Sequence, residues 1–220
     1  MTSRTSIFAR RRRILTAAVA LSLLPVTACT GGGATPGATA APESSSPAAS
    51  PAQTATPTPT ASYKPADATG RAQNVPVPVL PEAAKAETKE GLEAFARYWY
   101  SLLTYAYETG DIGPLEAASG PSCTSCGRVK EVVQGWHSDG RWLAGGKLVV
   151  EGAQSKFVET GPSEYQVLIQ VHQEPLSYYR ADKTLDEKTD PSPAVGDIMV
   201  ATYESGDWKA ITVEHLAKSE

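Results

Sequence analysis

Two cysteines separated by two residues, Cys123 and Cys126, are the residues of this sequence best suited to chemistry. A Cys-x-x-Cys pair can serve as a redox centre, as half of a zinc site or as a short disulfide. A zinc site needs four ligands, and the sequence has neither a second cysteine pair nor two histidines at metal-binding spacing. A thioredoxin-like centre needs a βαβ context, which the flanking sequence lacks. The choice among these alternatives then depends on the compartment in which the chain resides.

The first 28 residues have the pattern of an export signal. They carry Arg4 and Arg10 to Arg13 but no acidic residue, and an apolar run of 13 residues follows from Ile14 to Val26. A bilayer-spanning helix needs about 20 residues, so this run is too short to span. A charged start, a short apolar run and small residues after it indicate export. The arginines also match a twin-arginine pattern, so both the general and the twin-arginine routes stay open.

The residues VTAC, Val26 to Cys29, resemble the lipobox of bacterial lipoproteins. The resemblance implies that the Cys29 thiol receives a diacylglycerol and that a signal peptidase cuts before it. The protein would then sit on the outer face of the cell membrane, held by lipid on Cys29. Thiols oxidise in such a compartment, which favours a structural Cys123–Cys126 disulfide over a redox or metal site. We predict that this bridge fixes the turn before the second helix.

From Thr30 to Pro81 the chain is rich in Ala, Thr, Pro, Ser and Gly and poor in large apolar residues. Such a segment cannot bury enough apolar surface to offset its chain entropy, so we predict a disordered tether over residues 29–81. O-glycosylation of this tract stays open. The whole chain has a net charge of −4, and removal of the basic leader leaves it more acidic. We therefore expect no nucleic-acid partner.

Residues 82–220 remain for one α+β domain. Apolar residues recur at helical spacing from Leu92 to Ala106, with Thr88 as the N-cap and Gly110 at the end. A second helix is predicted after the cysteine pair, from apolar residues spaced i, i+3, i+4 and i+7: Val129, Val132, Val133 and Trp136.

After Gly140 the apolar residues alternate with polar ones, which is typical of strands. The pattern predicts about four antiparallel strands, including Ile198–Tyr203 and Trp208–His215 joined by a tight ESGD turn. The polar stretch PLSYYRADKTLDEKTDPSP is expected to be a loop between strands, which forms either a partner-binding rim or, as we favour, a long mobile hairpin. Helices followed by strands predict N-terminal helices packed on one face of an antiparallel sheet.

The segments ARYWYSLLTYAYETGD, CTSCGRV and GDWKAITV together resemble the nuclear transport factor 2-like, cone-shaped domain. They are more closely similar to a family of uncharacterised actinobacterial lipoproteins of unknown function, over about Glu82 to Leu216. The resemblance implies a curved antiparallel sheet that the helices close into a cone. Cone-shaped domains include cyclase-like and isomerase enzymes as well as many non-catalytic modules, so this fold does not define a function.

The three histidines, His137, His172 and His215, lie outside any catalytic motif. We expect His172 on the polar face of its strand, directed to solvent, and His137 at a helix end, where it favours the helix dipole. Asp197, like two other aspartates, adjoins a predicted turn, and turn chemistry accounts for it. No nucleophile elbow, P-loop or dinucleotide fingerprint is present in the sequence. We therefore assign no catalytic residue and expect neither a cofactor nor a metal.

Tyrosines crowd the first predicted helix, and one side of this helix would line the mouth of a cone. We take Tyr98 and Tyr105, with His172, as candidate pocket residues. Tyr100 and Tyr107 are seven residues apart and share another face. Two function classes follow: a non-enzymatic surface module that binds a cell-wall, lipid or envelope protein partner, and a pocket enzyme of the cyclase or isomerase type. The sequence favours the module, because few inward-facing strand positions hold an aspartate or a histidine.

Overall fold

The computed structural model describes residues 61–216. The predicted leader, Cys29 and the tether up to residue 60 lie outside the described residues, as do residues 217–220. Within residues 61–216, no helix is long and apolar enough to cross a membrane.

The order of elements confirms the α+β class, with helices first and strands after them. Short 3-10 helices cover Glu82–Lys85 and Ser138–Gly140. The α-helices are α1 (Lys89–Thr109), α2 (Gly113–Ala117) and α3 (Thr124–His137). The strands are β1 (Trp142–Gly145), β2 (Leu148–Gln154), β3 (Glu159–Gly161), β4 (Glu164–Gln173), β5 (Leu176–Tyr179), β6 (Leu185–Thr189), β7 (Val195–Glu204) and β8 (Asp207–His215).

The described strands form two antiparallel sheets, which differs from the single sheet of about four strands that we predicted. The larger sheet has the order β2-β4-β7-β8, with β3 also paired to β4, and the smaller has the order β1-β5-β6. Between β1 and β2 the chain passes through Gly145 and Gly146, which have φ of 78° and 72°. A Cβ at Gly145 would lie only 2.4 Å from the carbonyl oxygen of Pro175. This close left-handed turn carries the chain from one sheet to the other.

The smaller sheet contains the polar stretch that we expected to be a loop or a mobile hairpin. Trp142 of β1 pairs with Tyr179 of β5, and their rings stack with centroids 5.3 Å apart. Arg180 and Asp186 form an ion pair across the β5–β6 hairpin. The strand β6 escapes sequence analysis because nearly all its residues are exposed and show no apolar alternation.

Helix α1 begins and ends where the sequence predicts. The Thr88 hydroxyl accepts a hydrogen bond from the Gly91 amide at 3.0 Å, and Gly110 ends the helix at φ +80°. The helix packs on the larger sheet, where the Leu148 amide of β2 donates to the Thr104 hydroxyl at 3.1 Å. Nine residues of α1 are buried, so the helix forms one wall of the core.

Residues 61–81, which we call the arm, differ from the expected tether in having a defined conformation against the domain. Lys64 and Gln73 pair through two backbone hydrogen bonds of 2.9 Å. Arg71 donates to two backbone carbonyls, at the end of α3 and just before β1. The indole of Trp142 donates to a backbone carbonyl of the arm at 2.9 Å. These contacts use backbone groups, which composition does not reveal.

Cys123 and Cys126 form a disulfide at the start of α3, with their Cα atoms 5.2 Å apart. Cys123 is the N-cap residue, and its Sγ accepts from the Cys126 amide at 3.3 Å. The predicted bridge is therefore present and fixes the first turn of the helix. Of the predicted apolar stripe of α3, Val133 is buried, whereas Val132 is 53% exposed.

Candidate functional site

A cavity of about 330 Å³ lies between α1, α3 and the larger sheet. Most of its lining is aliphatic or aromatic, and a few polar groups converge at one side. Such a concavity is the usual form of a small-molecule site. The lining residues are Trp99, Tyr100, Leu103, Tyr107, Ser125, Val129, Leu148, Val171, His172, Gln173, Ser192, Val195, Asp197, Val213 and His215.

Asp197 faces this cavity from β7, which corrects our assignment of this residue to a turn. The strand begins at Val195, and Asp197 shares its inward face with Met199 and Ala201, both fully buried. The register of the sheet pairs Asp197 with His215 on β8. The predicted strand began at Ile198, so the expected boundary excluded Asp197 from the inward face of the strand.

Tyr100, Asp197 and His215 form a hydrogen-bonded chain at the cavity, which we call the Tyr-Asp-His cluster. The Tyr100 hydroxyl donates to Asp197 Oδ2. His215 Nδ1 lies 2.9 Å from Asp197 Oδ1. Burial, and then the hydrogen bond to Asp197, raise the pKa of the Tyr100 phenol above its ordinary value. Tyr100 therefore remains a protonated donor.

The carboxylate of Asp197 is largely removed from solvent, with 15% of its side chain exposed. Among residues 61–216 its one ion-pairing partner is His215, whose side chain is 58% exposed. A carboxylate that accepts from Nδ1 fixes the neutral imidazole with Nε2 as its basic atom. The cluster can therefore hold a polar group of a ligand, or accept a proton from one.

His172 borders the cavity at the end of β4, but its side chain does not belong to the Tyr-Asp-His cluster. Strand alternation places it on the face opposite Val171, which is buried. Its Nδ1 lies 2.9 Å from Oε1 of Glu151 on the neighbouring strand β2. His172 is thus held at the rim, away from the apolar interior.

Neither Tyr98 nor Tyr105 lines the cavity with His172. Tyr98 lies near Trp208 at a smaller depression, and the Tyr105 hydroxyl donates to Asp111 at 3.3 Å on the outside of α1. The cavity is lined instead by Tyr100 and Tyr107. Both tyrosine pairs are spaced seven residues apart, so spacing shows that each pair shares a face but does not show which face meets the cavity.

The part of the chain that the structure describes offers no cluster of three or more His, Cys, Asp or Glu residues suited to a metal ion. Cys123 and Cys126 are joined to each other, and a disulfide does not act as a thiolate ligand.

Sequence reasoning missed the Tyr-Asp-His cluster. The signal that could have found it is the period-two pattern of β7, since Asp197 lies two residues before Met199 and four before Ala201. Extending that pattern one step towards the N-terminus places an aspartate on the inner face. The hairpin register then brings His215 beside it.

Fold and site together define a small α+β domain in which two helices and an antiparallel sheet enclose an apolar cavity with an acidic group. The chain belongs to a family of unknown function, DUF6318, which it matches over residues 61–214. No curated protein matches it.

Several solved structures are similar in fold to this chain at low identity. One is the intermembrane space region of the chloroplast protein ARC6, at 10% identity and TM-score 0.46, covering 60% of this chain and 98% of that one. Another is a chain whose designation includes NTF2, at 10% identity and TM-score 0.31, covering 55% and 96%. A third is a protein of unknown function with a cystatin-like fold from Nostoc punctiforme, at 8% identity and TM-score 0.31, covering 57% and 89%.

Proposed function

We propose that this protein is a lipid-anchored, extracytoplasmic module with a cone-shaped domain that binds a small, largely apolar molecule. The observation that carries the binding proposal is the cavity of about 330 Å³, whose apolar walls meet polar groups at the Tyr-Asp-His cluster. Apolar walls supply binding free energy, and a few fixed polar groups orient the ligand.

The anchor is supported by the sequence alone. The basic leader, the short apolar run and the VTAC motif ending at Cys29 have the order of a lipoprotein signal. Replacing Cys29 with Ala should leave the protein unlipidated, so that it is shed into the medium or retained as a precursor. Fractionation of cells that express the Cys29→Ala variant tests this. Membrane-bound protein of mature size would contradict the anchor.

Ligand binding can be tested with a neutral fluorescent probe, N-phenyl-1-naphthylamine, titrated into the full chain. We expect saturable enhancement of fluorescence in the parent protein. A Val129→Trp substitution would fill the cavity from α3, and enhancement should then be lost. Val132→Trp is the matched control, because Val132 lies on the exposed side of the same helix. Equal binding by the two variants, or no saturable binding by the parent, would contradict the proposal.

A pocket enzyme of the cyclase or isomerase type is the second candidate, and the inward-facing Asp197 with His215 favours it. An imidazole oriented by a carboxylate is a competent general base when its free nitrogen reaches a substrate. Isomerisation of a cyclic β,γ-unsaturated ketone to its conjugated form, followed by absorbance, tests for such proton transfer. Turnover should be lost in Asp197→Asn and His215→Gln. If the parent protein turns over the ketone no faster than the Asp197→Asn variant does, this chemistry is excluded.

A further inference from the structure

We infer that the ligand of this cavity is a monovalent organic cation with an apolar body, such as an amine or a quaternary ammonium compound. The inference rests on the proposed binding function and adds the charge class of the ligand. It follows from Asp197, which places a carboxylate against apolar walls without a strong counter-charge.

The wall of the cavity is acidic. Asp197 is the one acidic residue among the side chains that line the cavity, and within the described chain no lysine or arginine lines it. Tyr100 donates a hydrogen bond to the carboxylate without adding a charge, and His215, 2.9 Å away, would offset the carboxylate only when protonated. At a pH where an ordinary imidazole is neutral, the site therefore keeps a net negative charge.

The Asp197 carboxylate is costly to hold in this position because it is largely buried. With 15% of its side chain exposed, Asp197 is separated from most of the solvent that would otherwise screen it. A carboxylate in such surroundings is stabilised by a cation more strongly than one at the surface. It can accept a further hydrogen bond or ion contact, since its two oxygens offer about four lone-pair positions and two are in use.

The aromatic and aliphatic lining of the cavity suits an apolar cation. The lining includes the aromatic rings of Trp99, Tyr100 and Tyr107. An aromatic ring attracts a cation more strongly than it attracts a neutral group of the same shape. Val129, Val195 and Val213 offer aliphatic surface to an apolar body. An anion would be repelled by the Asp197 carboxylate. A strongly hydrated inorganic cation would lose water against the apolar walls, and the cavity offers too few oxygen ligands to replace that water.

Two compounds of equal shape and without an ionisable hydroxyl separate charge from burial: phenyltrimethylammonium and its uncharged carbon analogue tert-butylbenzene. Titration calorimetry with the full chain at about pH 8, where an ordinary imidazole is neutral, measures both affinities. We expect the cation to bind on the order of tenfold more tightly than the analogue. In Asp197→Asn, which keeps an acceptor for Tyr100, the preference should fall to about twofold or less.

Asp207→Asn is the matched control, because Asp207 lies on the same hairpin, is exposed and does not line the cavity. It should keep the tenfold preference. Equal affinity for the two compounds in the parent protein, a preference that survives Asp197→Asn, or no binding of either compound would overturn the inference. The neutral-probe titration reports on cavity binding independently, so failure of cation selectivity can be told apart from failure of the proposed function.

Discussion

The hydroxyl of Tyr100 donates to the carboxylate of Asp197, 97 residues further along the chain. This bond joins the middle of α1 to the start of β7 and closes one side of the cavity. Tyr100 is 3% exposed, so its hydroxyl has little access to water as an alternative partner. The same contact therefore contributes both to the fold and to the shape of the candidate site.

Replacing Tyr100 with Phe should lower the free energy of unfolding by about 1–3 kcal/mol, because the largely buried Asp197 carboxylate loses a donor. Urea denaturation measures the change. Tyr105→Phe is the control, since its hydroxyl makes a long 3.3 Å bond at the surface, and it should change stability by less than about 0.5 kcal/mol. Equal stability of the two variants would show that the Tyr100–Asp197 bond contributes nothing.

Gly110→Ala should destabilise the protein by at least about 1 kcal/mol, because the residue has a left-handed conformation at φ +80°. An added Cβ would also lie 2.7 Å from the ring of His137. Gly135→Ala is a useful comparison, because a Cβ there meets nothing within 4 Å and the residue lies inside α3. That change should stabilise by up to about 1 kcal/mol. A Gly110→Ala protein that melts at the parent temperature would contradict this account.

His137 should make stability depend on pH. Burial lowers the pKa of its imidazole below the ordinary value of 6.5, and Arg71 contributes in the same direction. Its Nε2 pairs with the Tyr107 carbonyl at 2.8 Å, while its buried Nδ1 has no partner within residues 61–216. A second proton would leave an N–H without an acceptor. The unfolded chain therefore binds more protons, and stability falls as pH decreases below about 6.5.

Urea denaturation between about pH 7.5 and pH 5 measures this loss. His137→Gln should flatten the pH dependence, whereas His172→Gln retains His137 and should keep the slope. An unchanged slope in His137→Gln would assign the acid sensitivity to other groups.

Reduction of the Cys123–Cys126 disulfide should lower the free energy of unfolding by roughly 2 kcal/mol, the value expected for so short a loop. Unfolding with and without dithiothreitol gives the difference. A double variant, Cys123→Ser with Cys126→Ser, should be insensitive to the reductant. Protein recovered after export should show no free thiol when denatured, and two titratable thiols would contradict the structural role.

Elements defined by local signals were predictable from the sequence. Thr88 and Gly110 mark the ends of α1 because capping and left-handed termination depend on one residue each. The turn between β7 and β8 is equally local, since Ser205 and Gly206 both have positive φ. Such features need no knowledge of distant contacts.

The second sheet and the Tyr-Asp-His cluster depend on contacts between distant segments. Strand β5 lies between β1 and β6 and pairs with both. Strand β6 forms because of its pairing with β5, although the residues of β6 are polar. Asp197 becomes an inward residue only when β7 extends beyond Ile198 to pair along β4. Helix periodicity showed that Tyr100 and Tyr107 share a face, but only the folded sheet shows which residues they meet.

The arm has a mechanical consequence. A pull on the chain ahead of residue 61 would act first on the bonds that join Ser62 to Asn74 and Tyr63 to Glu108, near the end of α1. The bonds between Lys64 and Gln73, and then those between Asp67 and Gly70, would follow. Bonds arranged in this order open one at a time under load, as a zipper does, and each requires little force. Once the Tyr63–Glu108 bond has opened, the arm would lengthen and absorb tension before the pull reached the start of α1. The cavity would keep its dimensions while the chain that leads to it is stretched.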